Sequence, residues 1–305
     1  MEARRPQLSI VLTLIDHDGH ALEGVESWAR GQDLARDRYE VIVVGSGGEP
    51  EVEEAVRPLL GEQDSLLRYR SSQELELHDY GARTAHGRWL LFTEGHTVAE
   101  PSCLSSLLDY LNENESRYAG ACIRSTDGGS ENRIAKCERR WYADGFDEWS
   151  REGDWRKVTI RGFAIRRDAY LDAGGFEHRF GCFAETAMAA TLAHRGDRLG
   201  YAPAAAVKHY DATEMATLLS YVREYREGEL AYRVTHPSDY CERYFGVLPP
   251  AEGRTGRATL WLRYLRARVR VARPLLDDED RYRRFRELWV AVSDREQQRA
   301  IHRAG

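Results

Sequence analysis

The chain has 305 residues, enough for one large α/β domain with an extension or for two domains. Hydrophobic content of 42% supports a core, while 31% charged residues and a mean hydropathy of −0.61 predict a soluble protein, and no stretch approaches the ~20 apolar residues of a membrane span. The net charge of −6 gives no global attraction to nucleic acid, and five scattered cysteines without a CxxC pair argue against a disulfide framework or a zinc cluster and for a reducing, cytoplasmic setting.

Residues 8–15 form a β-branched apolar run between Pro6 and Asp16-His17-Asp18-Gly19. The run predicts a strand buried on both faces and is too brief for a signal peptide. The stretch to Arg30 carries Leu22, Val25, Trp28 and Ala29 at helical spacing. Residues 39–44 are the second predicted strand, followed by the tight turn Gly45-Ser46-Gly47-Gly48. That turn lacks GxGxxG spacing, which argues against a nicotinamide site and leaves simple turn chemistry or backbone approach to a nucleotide. Residues 49–60 read as a helix, 66–69 as a strand, 74–86 as a helix and 89–93 as the fourth strand. Alternation at this spacing predicts a parallel sheet with right-handed crossovers.

The fourth strand runs into Glu94-Gly95-His96. Ligands of an open α/β sheet bind beyond the carboxyl ends of its strands. Glu94 and His96 can each offer a divalent cation an electron pair, and Gly95 is small enough to permit close approach. An exposed turn after a core strand would read the same way. Residues 126–155 are rich in glycine, charge and aromatics (Trp141, Tyr142, Phe146, Trp149, Trp155), and are expected to form a long irregular lid or a small hydrophobic cluster. From Ala212 the pattern turns helical, with Met215, Leu218, Leu219, Val222 and Tyr225 at three- and four-residue steps, broken by Pro237, Pro249, Pro250 and Gly253. Residues 260–273 are basic and amphipathic, and no acidic residue lies between Gly253 and Leu276. They are either a packed helix with a solvated arginine face or a peripheral contact with an anionic membrane, partly offset by Asp277-Asp278-Glu279-Asp280. Residues 282–301 read as a final helix.

Several segments, in order, resemble family 2 glycosyltransferases of the GT-A fold over roughly residues 8–209. Thr13-Leu14-Ile15-Asp16 stands where that family ends its first strand, and Gly45-Ser46-Gly47-Gly48 where it has Asp-Asp-Gly-Ser. His78-Asp79-Tyr80-Gly81 occupies the Arg-Asn-x-Gly segment, and Glu94-Gly95-His96 the Asp-x-Asp motif. Arg161-Gly162-Phe163 and Gly174-Gly175-Phe176-Glu177 look like the acceptor-side segment. Ala184-Glu185 falls on the family's Glu-Asp pair, and residues 201–209 match a strand that ends in a metal-binding histidine.

The resemblance implies an α/β chain: a GT-A nucleotide-diphospho-sugar transferase core over 1–211, with a mostly parallel Rossmann-like sheet flanked by helices, and a helical C-terminal extension over 212–305. It implies donor binding by Thr13, Asp16, Ser46, His78, Asp79 and Glu94, and a divalent metal (Mn²⁺ or Mg²⁺) on Glu94, His96 and His209. Glu185 is expected as the catalytic base of an inverting transfer to a saccharide, lipid-linked or small-molecule acceptor, in a setting such as polysaccharide biosynthesis. Two departures shape the expectation. The uracil-recognising aspartate is absent at Gly45 or Ser46, and histidine in the metal motif moves preference from Mg²⁺ towards Mn²⁺. The alternative is a non-catalytic relative that binds a nucleotide sugar or glycan.

Overall fold

Buried apolar strands set the architecture. In the computed structural model, residues 5–15, 19–272 and 276–304 are described. They divide into two compact units, one made of Met1–Gly129, Phe146–His178 and Glu185–Tyr210, the other of Ser130–Gly145, Arg179–Ala184 and Asp211–Gly305.

The first unit begins with β1 (Leu8–Leu14), α1 (Ala21–Ala29), β2 (Tyr39–Gly45), α2 (Pro50–Val56), β3 (Ser65–Arg68), α3 (Glu74–Thr84) and β4 (Trp89–Glu94). Every residue of β1 and β2 is buried, as expected for strands covered on both faces. β1 pairs in parallel with both β2 and β4, and β2 with β3, so the predicted parallel order holds here. After β4 the chain continues through β5 (Thr97–Ala99), α4 (Cys103–Asn114), β6 (Gly120–Asp127), α5 (Arg133–Trp149), β7 (Phe163–Arg166), α6 (Arg167–Asp172), α7 (Phe183–Arg195) and β8 (Leu199–His209), with α5 up to Gly145 and the first two residues of α7 assigned to the second unit. Here β7 runs antiparallel to β4 and β6, and the sheet becomes mixed, in the order β3-β2-β1-β4-β7-β6-β8-β5. The α4 and β6 elements were not anticipated, although Leu104, Leu107, Leu108 and Leu111 bury a stripe at helical spacing.

Residues 126–155 correct an expectation. They are not an irregular lid: β6 continues to Asp127 and α5 occupies Arg133–Trp149. The missed signal is Asn132, whose side-chain oxygen accepts the Ile134 and Ala135 amides at 2.8 and 3.3 Å, capping the helix. The aromatics of this helix are packed, with Trp141 4.4 Å from the Trp289 ring and Phe146 5.2 Å from that of Tyr201.

The sheet curls, and its connectivity requires this. β4 and β5 are fourth and eighth in the sheet, ~19 Å apart if flat. Only Gly95 and His96 join them, and three peptide units reach at most ~11 Å. The end of β4 must therefore meet the β8–β5 edge. An irregularity in β8 assists: its pairing with β6 jumps from Ile123↔Ala202 to Arg124↔Ala206, leaving Pro203, Ala204 and Ala205 out of register, and such bulges bend a strand.

The second unit contains α8 (Met215–Thr235), α9 (Ser238–Phe245), α10 (Arg254–Val271) and α11 (Asp278–Ala304). Val222, Ala267, Leu288, Ala291 and Val292 share one apolar cluster; Cys137, Leu218, Tyr282 and Phe285 share another. None of the described helices is long and apolar enough to cross a membrane.

The β4–β5 turn is braced from behind by α1. A Cβ added at Gly24 would fall well inside contact distance of the Gly95 carbonyl oxygen and 2.9 Å from that of Thr97. Glycine-to-alanine changes inside helices ordinarily stabilise by ~0.5–1 kcal/mol. At Gly24 the sign reverses: Gly24→Ala is expected to cost about 1–3 kcal/mol in urea denaturation, because only backbone can yield. Unchanged or raised stability would contradict this packing.

Candidate active site

The pairing of β5 with β8 brings His96 and His209 together. Thr97 is in register with His209, so His96 stands just before the pair and Tyr210 just after it. On the other side Thr13 of β1 is in register with Glu94. The turn itself is pinned by the Thr97 hydroxyl, which donates to the Glu94 carbonyl at 2.7 Å and lies 2.6 Å from the Thr93 hydroxyl. Gly95 has a structural reason to be glycine, since an added Cβ would lie 2.5 Å from the Thr13 carbonyl oxygen.

Three ligand-type atoms converge here. His209 Nε2 is 3.0 Å from Glu94 Oε2, His96 Nε2 is 3.2 Å from His209 Nε2, and His96 Nε2 is 3.7 Å from Glu94 Oε2. Bonds of ~2.0–2.2 Å from one cation would hold its ligand atoms ~3.0–3.6 Å apart, so the spacing fits a divalent ion. The donor set fits as well, two imidazoles and one carboxylate suiting a transition metal better than Mg²⁺. Burial acts to raise the Glu94 pKa, but the His96 and His209 rings prevail and hold its carboxyl well below the usual carboxylate range.

Glu185 is in the first turn of α7, where a negative charge suits the helix dipole. One carboxylate oxygen accepts the Ile160 amide at 2.5 Å. Burial, with the Glu94 charge, pushes its pKa up to about 8 against the lowering effects of the Ile160 amide and Arg161. Arg161, in the turn before β7, acts on both Glu94 and Glu185. It was not assigned a role from sequence, although a cation at the end of a central strand was a usable signal.

The other expected donor residues are placed differently. Thr13 is buried and donates to Glu74 Oε1 at 2.6 Å. Ser46 is half-buried and accepts the Gly48 amide at 3.2 Å. His78 is wholly buried, edge-on to Phe92, and burial lowers its pKa to about 4, so the ring is neutral. Asp79 binds Arg83 Nε at 2.7 Å and the Tyr170 hydroxyl at 3.0 Å. Tyr170 in turn accepts the Phe176 amide at 3.0 Å, so Asp79 braces the turn in which Gly174 and Gly175 have φ of +96° and +78°. Asp16 lies outside the described residues.

The sequence model of glycosyl transferase family 2 matches residues 22–175. No curated protein matches the chain. Among solved structures, the chain is similar to the mannosyltransferase PcManGT from Pyrobaculum calidifontis in complex with GDP-Man and Mn²⁺, at 14% identity and TM-score 0.60, covering 99% of this chain and 88% of that one. It is also similar to S. aureus TarS 1–349 in complex with UDP, at 12% identity and TM-score 0.53, covering 98% and 92%. At these identities the likeness is one of fold.

Glu185 yields a prediction about stability. Its carboxyl has a higher pKa folded (about 8) than its ordinary value of 4.5, so the folded state holds the proton more tightly. The resulting stabilisation is complete below about pH 4.5 and is lost as pH rises through about 8. Glu185→Gln keeps the acceptor for Ile160 without the charge. Its Tm should therefore gain on the wild type as pH rises from about 5 to about 8.5; parallel Tm profiles would show that the carboxyl is not destabilised by burial.

Proposed function

We infer that this chain, which belongs to glycosyl transferase family 2, transfers a sugar from a nucleotide-diphosphate donor to an acceptor hydroxyl, with metal assistance and inversion. The convergence of Glu94, His96 and His209, with Glu185 within electrostatic reach, carries this reading. The donor class is supported by the two similar structures, whose ligands are GDP-Man with Mn²⁺ and UDP.

Glu94, His96 and His209 would hold a divalent ion, which when bound would supply Lewis acidity to offset charge on the leaving diphosphate. Glu94 contributes a carboxylate that its two histidine neighbours keep ionised. Arg161 is assigned to the same diphosphate, because guanidinium offers several donors to phosphate oxygens. Thr13 of β1 and Ser46, just after β2, are assigned to the donor side, as is Asp16 by its place in the sequence, with His78 and Asp79 supporting them from α3.

Glu185 takes the proton from the acceptor hydroxyl as it attacks the anomeric carbon. A raised pKa suits this role, since a base works best when its pKa lies near the working pH. With one base and no covalent intermediate there is a single displacement, which inverts the centre. The acceptor is a saccharide, a lipid-linked sugar or a small molecule, met in the cytoplasm during polysaccharide assembly.

The reading is tested on a panel of UDP-, GDP-, TDP- and CMP-sugars with Mn²⁺. One donor should be turned over, and Glu185→Gln should lower kcat by about 10²–10⁴-fold while nucleotide still binds. Unchanged turnover would remove Glu185 from the mechanism, and tight nucleotide binding without turnover of any donor would favour the non-catalytic reading. Chelation should abolish turnover, with Mn²⁺ restoring it at lower concentration than Mg²⁺. In His96→Ala the Mn²⁺ requirement should rise about 10–100-fold. Activity indifferent to chelator would exclude the metal.

A further inference from the structure

Helix α10 has two apolar faces where a surface helix needs one. The inner face is packed: Ala267 is buried, and Tyr264 and Val271 lie against the core cluster shared with α11. On the opposite side Ala258, Trp261, Leu262, Leu265 and Val269 recur at three- and four-residue steps and form a second stripe. Trp261, Leu262 and Val269 keep 50%, 48% and 67% of their surface exposed.

Arginines rim this outer stripe. By helical spacing Arg257 and Arg268 flank one side and Arg266 and Arg270 the other. Arg263 and Arg270 pair with Asp294 and Glu287 of α11, but Arg257, Arg266 and Arg268 have no carboxylate within ion-pair distance among the described residues. α10 itself contains no acidic residue. The acidic run that begins α11 is partly neutralised, Glu279 by Arg140 and Asp280 by Arg283.

We propose that α10 is a membrane-docking helix that lays Trp261, Leu262 and Val269 into the surface of an anionic bilayer, with Arg257, Arg266 and Arg268 on its headgroup phosphates. A bilayer answers both features at once, since acyl chains receive the stripe and anionic headgroups receive the rims. Trp261 suits the interface, having an apolar body and a polar N–H. A second copy of the chain fits poorly, because pairing two such stripes about a twofold axis would set arginine rim against arginine rim. The docking requires nothing of the catalytic reading, which can fail without affecting it.

The test is flotation of the full chain with phosphatidylglycerol–phosphatidylcholine vesicles and with phosphatidylcholine alone. The chain should float with the anionic vesicles only, and less so as salt rises. Arg257→Gln with Arg266→Gln should weaken binding about fivefold per arginine. Trp261→Ser with Leu262→Ser should weaken it about tenfold or more. These side chains are exposed, so both variants should keep the parent Tm, and brominated lipid should quench fluorescence in the wild type more than in Trp261→Phe. Anionic binding unaltered by the stripe variant would overturn the proposal, as would no flotation at low salt. So would a dimer in sedimentation that Trp261→Ser dissociates, which would assign the stripe to a second copy.

Discussion

The pairing of Thr97 with His209 across β5 and β8 is the constraint on which the site depends. Three paired residues are a short ladder, yet they close a sheet whose first strands are laid down some hundred residues earlier. Because Gly95 and His96 alone bridge β4 to β5, the curl of the sheet and the position of the site are one property. A flat sheet of the same strands would separate Glu94 from His209 by several strand widths. The bulge at Pro203–Ala205, the close seat of Gly24 against the turn and the Thr93–Thr97 hydroxyl contact all serve that closure.

Closure also shifts the pKa values of two carboxylates in opposite directions. Both are pushed towards the neutral form by burial, and the neighbours decide the outcome. Two imidazoles hold the Glu94 pKa low, while at Glu185 the Ile160 amide and the Arg161 charge are outweighed by burial and the repulsion of Glu94. Environments that push two acids apart in this way suit them to different roles, the one held low to a cation and the one whose pKa lies near the working pH to proton transfer.

Much of this was legible in the sequence, for identifiable reasons. The runs ending at Ile15, Val44 and Thr93 are buried on both faces, so their apolar continuity identified β1, β2 and β4 without knowledge of their partners. Glu94, His96 and His209 could be proposed as a set only through the order of motifs, because nothing local in residues 201–209 announces an antiparallel partner as short as β5. The segment around Trp141 misled because aromatic and glycine content outweighed one local capping signal at Asn132. Asp79 was legible as polar and near the site, but its engagement with Arg83 and Tyr170 depends on a turn nearly a hundred residues away.

The separation of the ligands has a consequence for the chain as it is made. His96 and His209 are 113 residues apart, and among the described residues β5 pairs with β8 alone. A nascent chain can complete the parallel half from β1 to β4 while His209 is still unsynthesised. Contacts of such long sequence separation carry the largest closure entropy and are slow to form. The three side chains therefore come together in one late step, when β8 docks, and a chain that ends before β8 lacks the cluster altogether.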